Sequence, residues 1–171
     1  MTRYVAFLRG VNVGGVNLKM AAVSQALTSA GFTAVRTILA SGNVLLDSDS
    51  DAPQVRVSAE RALRDTFGYE AWVLAYDLPT LASISAGYPF EREVDGHHSY
   101  VTFVSDADVL DELAGLSPGA GEKVQRGAGV LYWQVPRAAT LNSAIGRTMG
   151  RKRFRSSTTT RNLRTLDKVL R

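Results

Sequence analysis

The sequence predicts an α+β protein made of two tandem βαββαβ halves with antiparallel sheets and a closing C-terminal helix. Three observations lead there. The apolar segments of the first 77 residues run strand, helix, strand, strand, helix, strand. The same order returns after a connection marked by Pro89 and Gly96. The composition, 45% apolar and 21% charged over 171 residues without cysteine, supports a core with no disulfide staples, since a chain of this size buries roughly 70% of its unfolded surface. That composition excludes a disordered tail, a disulfide framework and a thiolate metal site.

Each element has a local reason. Residues 3–9 carry Val5 and Phe7 in a short apolar run that suits a buried strand. A glycine-rich stretch, Gly10-Val11-Asn12-Val13-Gly14-Gly15, follows. A helix is expected from Lys19, with Asn17 as its N-cap, Met20, Val23, Leu27 and Ala30 at helical spacing, and Gly31 as its stop. Val35–Leu39 and Val44–Leu46 flank the turn signal Ser41-Gly42-Asn43. A polar loop from Asp47 to Pro53 leads into an amphipathic helix over 55–67, and 71–76 makes the fourth strand. This order is that of a ferredoxin-like unit, whose two helices cover one face of the sheet.

After a short helix at 78–85, the second half reads as strand 100–104, helix 107–116, strands 122–126 and 130–135 about Gly127-Ala128-Gly129, helix 140–149 and strand 154–159. A helix over 162–171 closes the chain. The duplication rests on element order alone, because the residue similarity between the halves is negligible. The expected division is a first subdomain at 1–77, a connecting helix and loop at 78–97, and a second subdomain with its basic helix at 98–171.

In such a sheet the first and third strands are antiparallel neighbours. The turn between strands two and three then lies where strand one ends, which brings Arg9–Gly15 beside Ser41–Asn43. The first loop also leads to a helix N-terminus, whose N–H groups favour anions. Arg9 offers a bidentate donor fork and Lys19 a mobile ammonium, while Asn12, Ser41 and Asn43 offer neutral donors and acceptors. Gly14 and Gly15 let a backbone approach a ligand closely. The alternative is pure turn chemistry, with Asn12 and Ser41 bonding local backbone. Neither the P-loop nor the dinucleotide glycine pattern fits the spacing Gly10, Gly14, Gly15.

The net charge of +4 hides an asymmetry. Residues 147–171 hold nine Lys or Arg and one Asp, so that end carries +8 and the remainder −4. On a helix beginning at Arg161, Arg161, Arg164, Lys168 and Arg171 form one stripe and Leu163, Leu166 and Leu170 the opposite face. Upstream, Arg151, Lys152, Arg153 and Arg155 make a denser cluster of the kind that contacts phosphates. Phe154 is the one aromatic in 147–155, which argues against a stacking platform for single strands. A solvated or internally paired basic surface is the competing reading.

Other chemistries fail on their residues. His97 and His98 are the only histidines, and neighbours on a strand point to opposite faces. With no cysteine, no metal site is expected. Gly-x-Ser-x-Gly is absent. Asp47, Asp49 and Asp51 are followed by Ala52-Pro53, which breaks the calcium-loop pattern and fits a solvated loop ending in an N-cap. Trp72 and Trp133 lie in apolar runs and are expected in the core or between subdomains. The opening apolar run is too short for a secretory signal and no segment is long enough to span a membrane, so a cytoplasmic protein without membrane contact is expected.

Leu8-Arg9-Gly10-Val11-Asn12-Val13-Gly14-Gly15, Ser41-Gly42-Asn43-Val44 and Thr159-Thr160-Arg161-Asn162 together resemble the three signature segments of the bacterial domain of unknown function 1697 family. The opening octet is the specific part. The resemblance spans the chain, including Tyr88-Pro89-Phe90, Val101–Val104 and Leu131-Tyr132-Trp133. It implies a duplicated ferredoxin-like fold and supplies no activity. Two departures stand out: Tyr88 replaces the usual Asn before Pro-Phe, and Leu163-Arg164-Thr165 replaces Trp-Asn-Thr.

The leading functional expectation is a site for a small anionic or phosphorylated ligand formed by Arg9, Asn12, Gly14, Gly15, Lys19, Ser41 and Asn43, joined by Arg161 and Asn162 if the second half folds over it. The alternatives are a nucleic-acid-binding module using Arg151, Lys152, Arg153 and Arg155, and an enzyme of unassigned reaction, for which no general base is identified. No cofactor and no metal are expected, and the oligomeric state is left open.

Overall fold

The first apolar run forms strand β1 (Thr2–Leu8) in the computed structural model, which describes residues 1–12, 16–139 and 143–171. β1 is buried on both faces. Tyr4, Ala6 and Leu8 join one core cluster, while Val5 and Phe7 are fully buried on the other side. Helix α1 (Met20–Ser29) and helix α2 (Ala52–Phe67) lay Val23, Leu27, Val55, Ala59 and Leu63 on the Tyr4 side. Each fully buried Leu of that layer contributes roughly 1.5–3 kcal/mol.

Strands β2 (Thr33–Ile38), β3 (Asn43–Ser48) and β4 (Val73–Asp77) complete an antiparallel sheet of order β2-β3-β1-β4. β1 therefore sits between β3 and β4, with Phe7 opposite Asn43 and Leu8 opposite Val73. Asp51 caps α2 by accepting from the Gln54 N–H at 3.0 Å, the role expected of the polar loop's end. Glu60, although 8% exposed, accepts from the Val73 N–H at 2.9 Å and from Arg56 Nε at 3.2 Å, and so ties α2 to the start of β4.

Helix α3 (Leu78–Ala86) leads to the second sheet, formed by β5 (His97–Val104), β6 (Lys123–Arg126), β7 (Val130–Pro136) and β8 (Thr158–Asn162). Its order, β6-β7-β5-β8, again places the first strand of the set between the third and the fourth, and every pairing is antiparallel. Helices α4 (Ala107–Ala114) and α5 (Ala144–Met149) supply Leu110, Leu113, Ile145 and Met149 to a core with Val104, Leu131, Trp133, Val135 and Phe154. Trp133 is 2% exposed and donates from Nε1 to Thr102 Oγ1 at 2.9 Å. Tyr88 is buried too. Its hydroxyl donates to the Trp133 carbonyl at 3.1 Å and its ring meets Tyr132 edge-on. Helix α6 (Leu163–Leu170) ends the chain, with Leu163, Leu166 and Val169 buried.

The chain divides into two compact units, residues 1–81 with 168–171, and residues 82–167. The described residues thus form two four-stranded antiparallel sheets and six α-helices, an α+β arrangement.

Several boundaries differ from expectation. Lys19, not Asn17, takes the N-cap position of α1, and it makes no side-chain capping bond. β5 begins three residues before Tyr100, because His97 and His98 pair with Pro136 and Val135. The last strand lies at 158–162 instead of 154–159, since Lys152–Phe154 forms a 3-10 turn. Arg161 consequently belongs to β8, opposite Val101, and drops out of the expected helical stripe. Helix α5 is described from Ala144; residues 140–142 of the expected helix lie outside the described residues. Trp72 precedes β4, is only partly buried, and lies 4.6 Å beneath the Arg64 guanidinium.

Candidate functional site

In the first unit the two expected segments do meet. Past the end of β1, the Arg9 N–H donates to the Trp72 carbonyl at 3.0 Å, while the Leu8 N–H donates to the Gly42 carbonyl at 2.8 Å. Gly42 has φ +87°, and a Cβ there would fall 2.8 Å from Leu8 Cβ, so both its conformation and the close approach of β1 require glycine. The Arg9 side chain is half-buried, with its Nε out of contact with solvent.

Asn12 joins the two segments. Its Nδ2 donates to the Leu18 carbonyl at 2.9 Å and to the Ala40 carbonyl at 2.8 Å, and its Oδ1 accepts from the Leu18 N–H at 2.9 Å. Both N–H donors of the amide and one of its two acceptor positions are engaged by backbone. Its main-chain N–H donates to the Val16 carbonyl at 2.8 Å, so the loop is stapled at both shoulders. Asn43 is fully buried and donates to the Ile38 carbonyl at 2.8 Å and to Ser41 Oγ at 3.0 Å. Both asparagines shape the backbone of this rim. Lys19 is exposed at the head of α1. Gly14 and Gly15 lie outside the described residues.

Among the described residues, three that are not glycine have left-handed backbone: Asn12 at φ 57°, Leu39 at φ 62° and Ala34 at φ 49°. Two of them lie here, Asn12 on the first segment and Leu39 two residues before the second. Leu39 is also 45% exposed, so core packing does not hold its backbone in this region.

Arg161 and Asn162 are built into the second unit. Arg161 is 7% exposed; its guanidinium donates to Thr159 Oγ1 at 2.7 Å and to the Thr160 carbonyl at 2.9 Å. Asn162 Oδ1 accepts from the N–H and the hydroxyl of Thr165, both at 2.9 Å, which makes it the cap of α6. In the basic cluster, Arg153 forms a two-pronged pair with Glu112 and stacks 4.2 Å over Phe154. This pairing holds the Glu112 carboxyl below its ordinary range. Arg151, Lys152 and Arg155 are exposed.

Sequence spacing missed a second grouping. A cavity of about 140 Å³ in the second unit is lined by His98, Arg137, Arg164 and Asn162, together with Arg92, Glu93 and Asp167. Its residues come from the segment before β5, from β5 itself, from the turn after β7 and from the start of α6, so no local motif reveals it. The extension of β5 to His97 is what carries His98 into it. Burial, and then the positive charges of Arg137 and Arg164, hold the His98 imidazole below its ordinary pKa. No group of His and carboxylates capable of holding a metal ion occurs among the described residues.

The model of a family described as "Protein of unknown function (DUF1697)" matches residues 1–132, more than three quarters of the chain. The chain belongs to the DUF1697 family. The matched span includes the Leu8–Gly15 octet and the Ser41–Val44 turn; the Thr159–Asn162 segment lies beyond it. The conserved bacterial protein SP0830 from Streptococcus pneumoniae is similar in structure, with a TM-score of 0.83 at 22% identity, over 99% of this chain and 96% of that one. At that identity the likeness shows a shared fold. No curated protein matches this DUF1697 chain. No helix among the described residues is long and apolar enough to cross a membrane.

Proposed function

We propose that this protein binds a small anionic or phosphorylated ligand at the end of the first sheet, where Arg9–Asn12 meets Ser41–Asn43. The observation that carries this reading is the left-handed backbone of Asn12, on the first segment, and of Leu39, two residues before the second. Such a conformation costs about 1–3 kcal/mol for a side chain such as Leu39 and concentrates at functional sites, while Asn12 adopts it more readily through its local hydrogen bonds. Glycine, which would relieve the cost, stands at neither position. The charge comes from Arg9 and Lys19. Helix α1 starts without a side-chain cap, so the positive end of its dipole has no fixed side-chain acceptor. Asn12 and Asn43 act as the frame that positions these groups, and their amides are not free to contact a ligand.

The matching orders β2-β3-β1-β4 and β6-β7-β5-β8 support the reading of the whole as two tandem ferredoxin-like units. In that reading the rim belongs to the first unit alone.

The test is a thermal-shift screen of nucleotides and phosphorylated metabolites. One compound or compound class is expected to stabilise the wild type, and Arg9→Ala is expected to abolish that shift. A shift that survives intact in Arg9→Ala overturns the assignment. If the screen is silent and the protein instead binds DNA or RNA with steep salt dependence, lost on neutralising Arg151, Lys152 and Arg155, the nucleic-acid reading replaces it.

A further inference from the structure

We propose that the cavity of the second unit is an oxyanion site in which Arg137 and Arg164 hold a small tetrahedral or carboxylate anion against His98. The proposal is independent of the rim in the first unit.

The cavity contains three guanidinium groups, and they are not equivalent. Arg92 is committed to the fold. It donates to the Ser85 carbonyl at 2.8 Å and to Ser85 Oγ at 3.2 Å, and pairs with Asp167 at 3.1 Å. Arg164 is different. Its contact with Glu93 is 3.7 Å long, and the two side chains are 68% and 72% exposed. Pairs of that kind are worth little in water and exchange readily. Arg164 can therefore turn from Glu93 to a better acceptor. Arg137 enters from the turn after β7, anchored through its backbone N–H, which donates to the Gly96 carbonyl at 2.8 Å.

His98, on β5, lines the same cavity. The charged groups around it are Arg137 and Arg164 on the positive side, and Glu93, Asp95 and Asp167 on the negative side, with Asp167 bound to Arg92. His97, the other histidine at the cavity, is turned to the Asp95 carbonyl at 3.0 Å from its Nδ1. Burial, and then the two guanidiniums near it, hold the imidazole of His98 below its ordinary pKa. An oxyanion placed between those guanidiniums reverses the field at the ring. It favours imidazolium, which then supplies a third charged donor to the anion. Binding and proton uptake are thus linked, and affinity rises as the pH falls through the histidine range. The cavity volume of about 140 Å³ admits a phosphate, sulfate or carboxylate group.

Sulfate is the suitable probe, because its charge does not change across the histidine range. The ring resonances of His98 are followed by NMR against pH in the full-length protein, with sulfate and with chloride at matched ionic strength. Sulfate is expected to raise the His98 titration midpoint by about one pH unit, equivalent to about tenfold tighter binding to the protonated form. Arg164→Gln, at an exposed position that the fold tolerates, and Arg137→Gln should each remove most of the rise. The proposal is overturned if chloride produces the same rise or if the rise persists in both variants. A third result, a rise lost in Arg137→Gln and kept in Arg164→Gln, overturns the two-arginine site.

Discussion

Asn12 is the residue on which the first loop depends. Three hydrogen bonds leave its amide, two to Leu18 and one to Ala40, and the last crosses between segments 28 residues apart. Replacing it by Ala strands partly buried backbone groups and puts a residue without local side-chain bonding at φ 57°. Asn12→Ala is expected to lower stability by about 2–3 kcal/mol, read from urea denaturation. Asn12→Asp keeps the acceptor for the Leu18 N–H and loses both donations, so its loss should be smaller than that of the Ala variant and still clear. An Asn12→Ala protein as stable as the wild type would show that the staple is dispensable. The importance of Asn12 was legible in the sequence, where it lies among glycines before a helix. Its partners were not, because a side-chain bond to Ala40 depends on tertiary placement and has no sequence spacing. The same holds for Asn43, whose burial follows from its opposition to Phe7 in the sheet.

At the scale of elements, strands and helices with apolar periodicity were legible, and those held by polar residues were not. Helix α2 shows both its cap, Asp51, and its left-handed end, Gly68 at φ 66°, in plain sequence. β8 hides because its residues are Thr158, Thr159, Thr160 and Arg161. Thr102 and Thr160 bond one another at 2.8 Å, and Thr158 donates to the Phe154 carbonyl at 2.8 Å, so polar side chains are satisfied inside the second unit. A strand stabilised that way carries no alternation of apolar and polar residues. Helix α1 presents the opposite case, an expected cap that is absent. Lys is a poor N-cap and places positive charge at the positive end of the dipole. Lys19→Asp is expected to stabilise the protein by about 0.5–1 kcal/mol in chemical denaturation, while weakening any anion-dependent thermal shift. If the variant is destabilised, the capping account of α1 fails. If it binds as well as the wild type, Lys19 plays no part in the site.

For the whole molecule, the charge asymmetry changes meaning once the partners are known. Of the nine basic residues in 147–171, Arg161 is buried in β8, Arg153 pairs with Glu112, and Arg164 approaches Glu93. The basic end is partly an internal structural device, and what it leaves exposed at 151–155 is smaller than the sequence count implies. Glu112 gives this a pH signature. Its carboxyl pKa is lowered in the folded protein, so the pair's contribution is present above the ordinary glutamate range and is lost as pH falls through the folded value. Because the pair is exposed, salt screens it. Glu112→Gln should flatten the acid limb of the stability profile slightly at low ionic strength and leave it unchanged at about 0.5 M salt. His98 acts in the same direction at higher pH. With its pKa lowered on folding, the unfolded chain binds more protons just below the ordinary histidine value, so its contribution destabilises the fold as the pH drops through that range.

The central claim is that the Arg9–Asn12 and Ser41–Asn43 rim is where a small anion binds, and amide chemical-shift mapping tests it most directly. A uniformly ¹⁵N-labelled sample is titrated with the phosphorylated compound that gives the largest thermal shift. Saturable shifts are expected to be largest at Arg9–Asn12, Lys19–Ala21 and Ser41–Asn43, and to vanish in Arg9→Ala. Saturable shifts that leave those amides unmoved would contradict it.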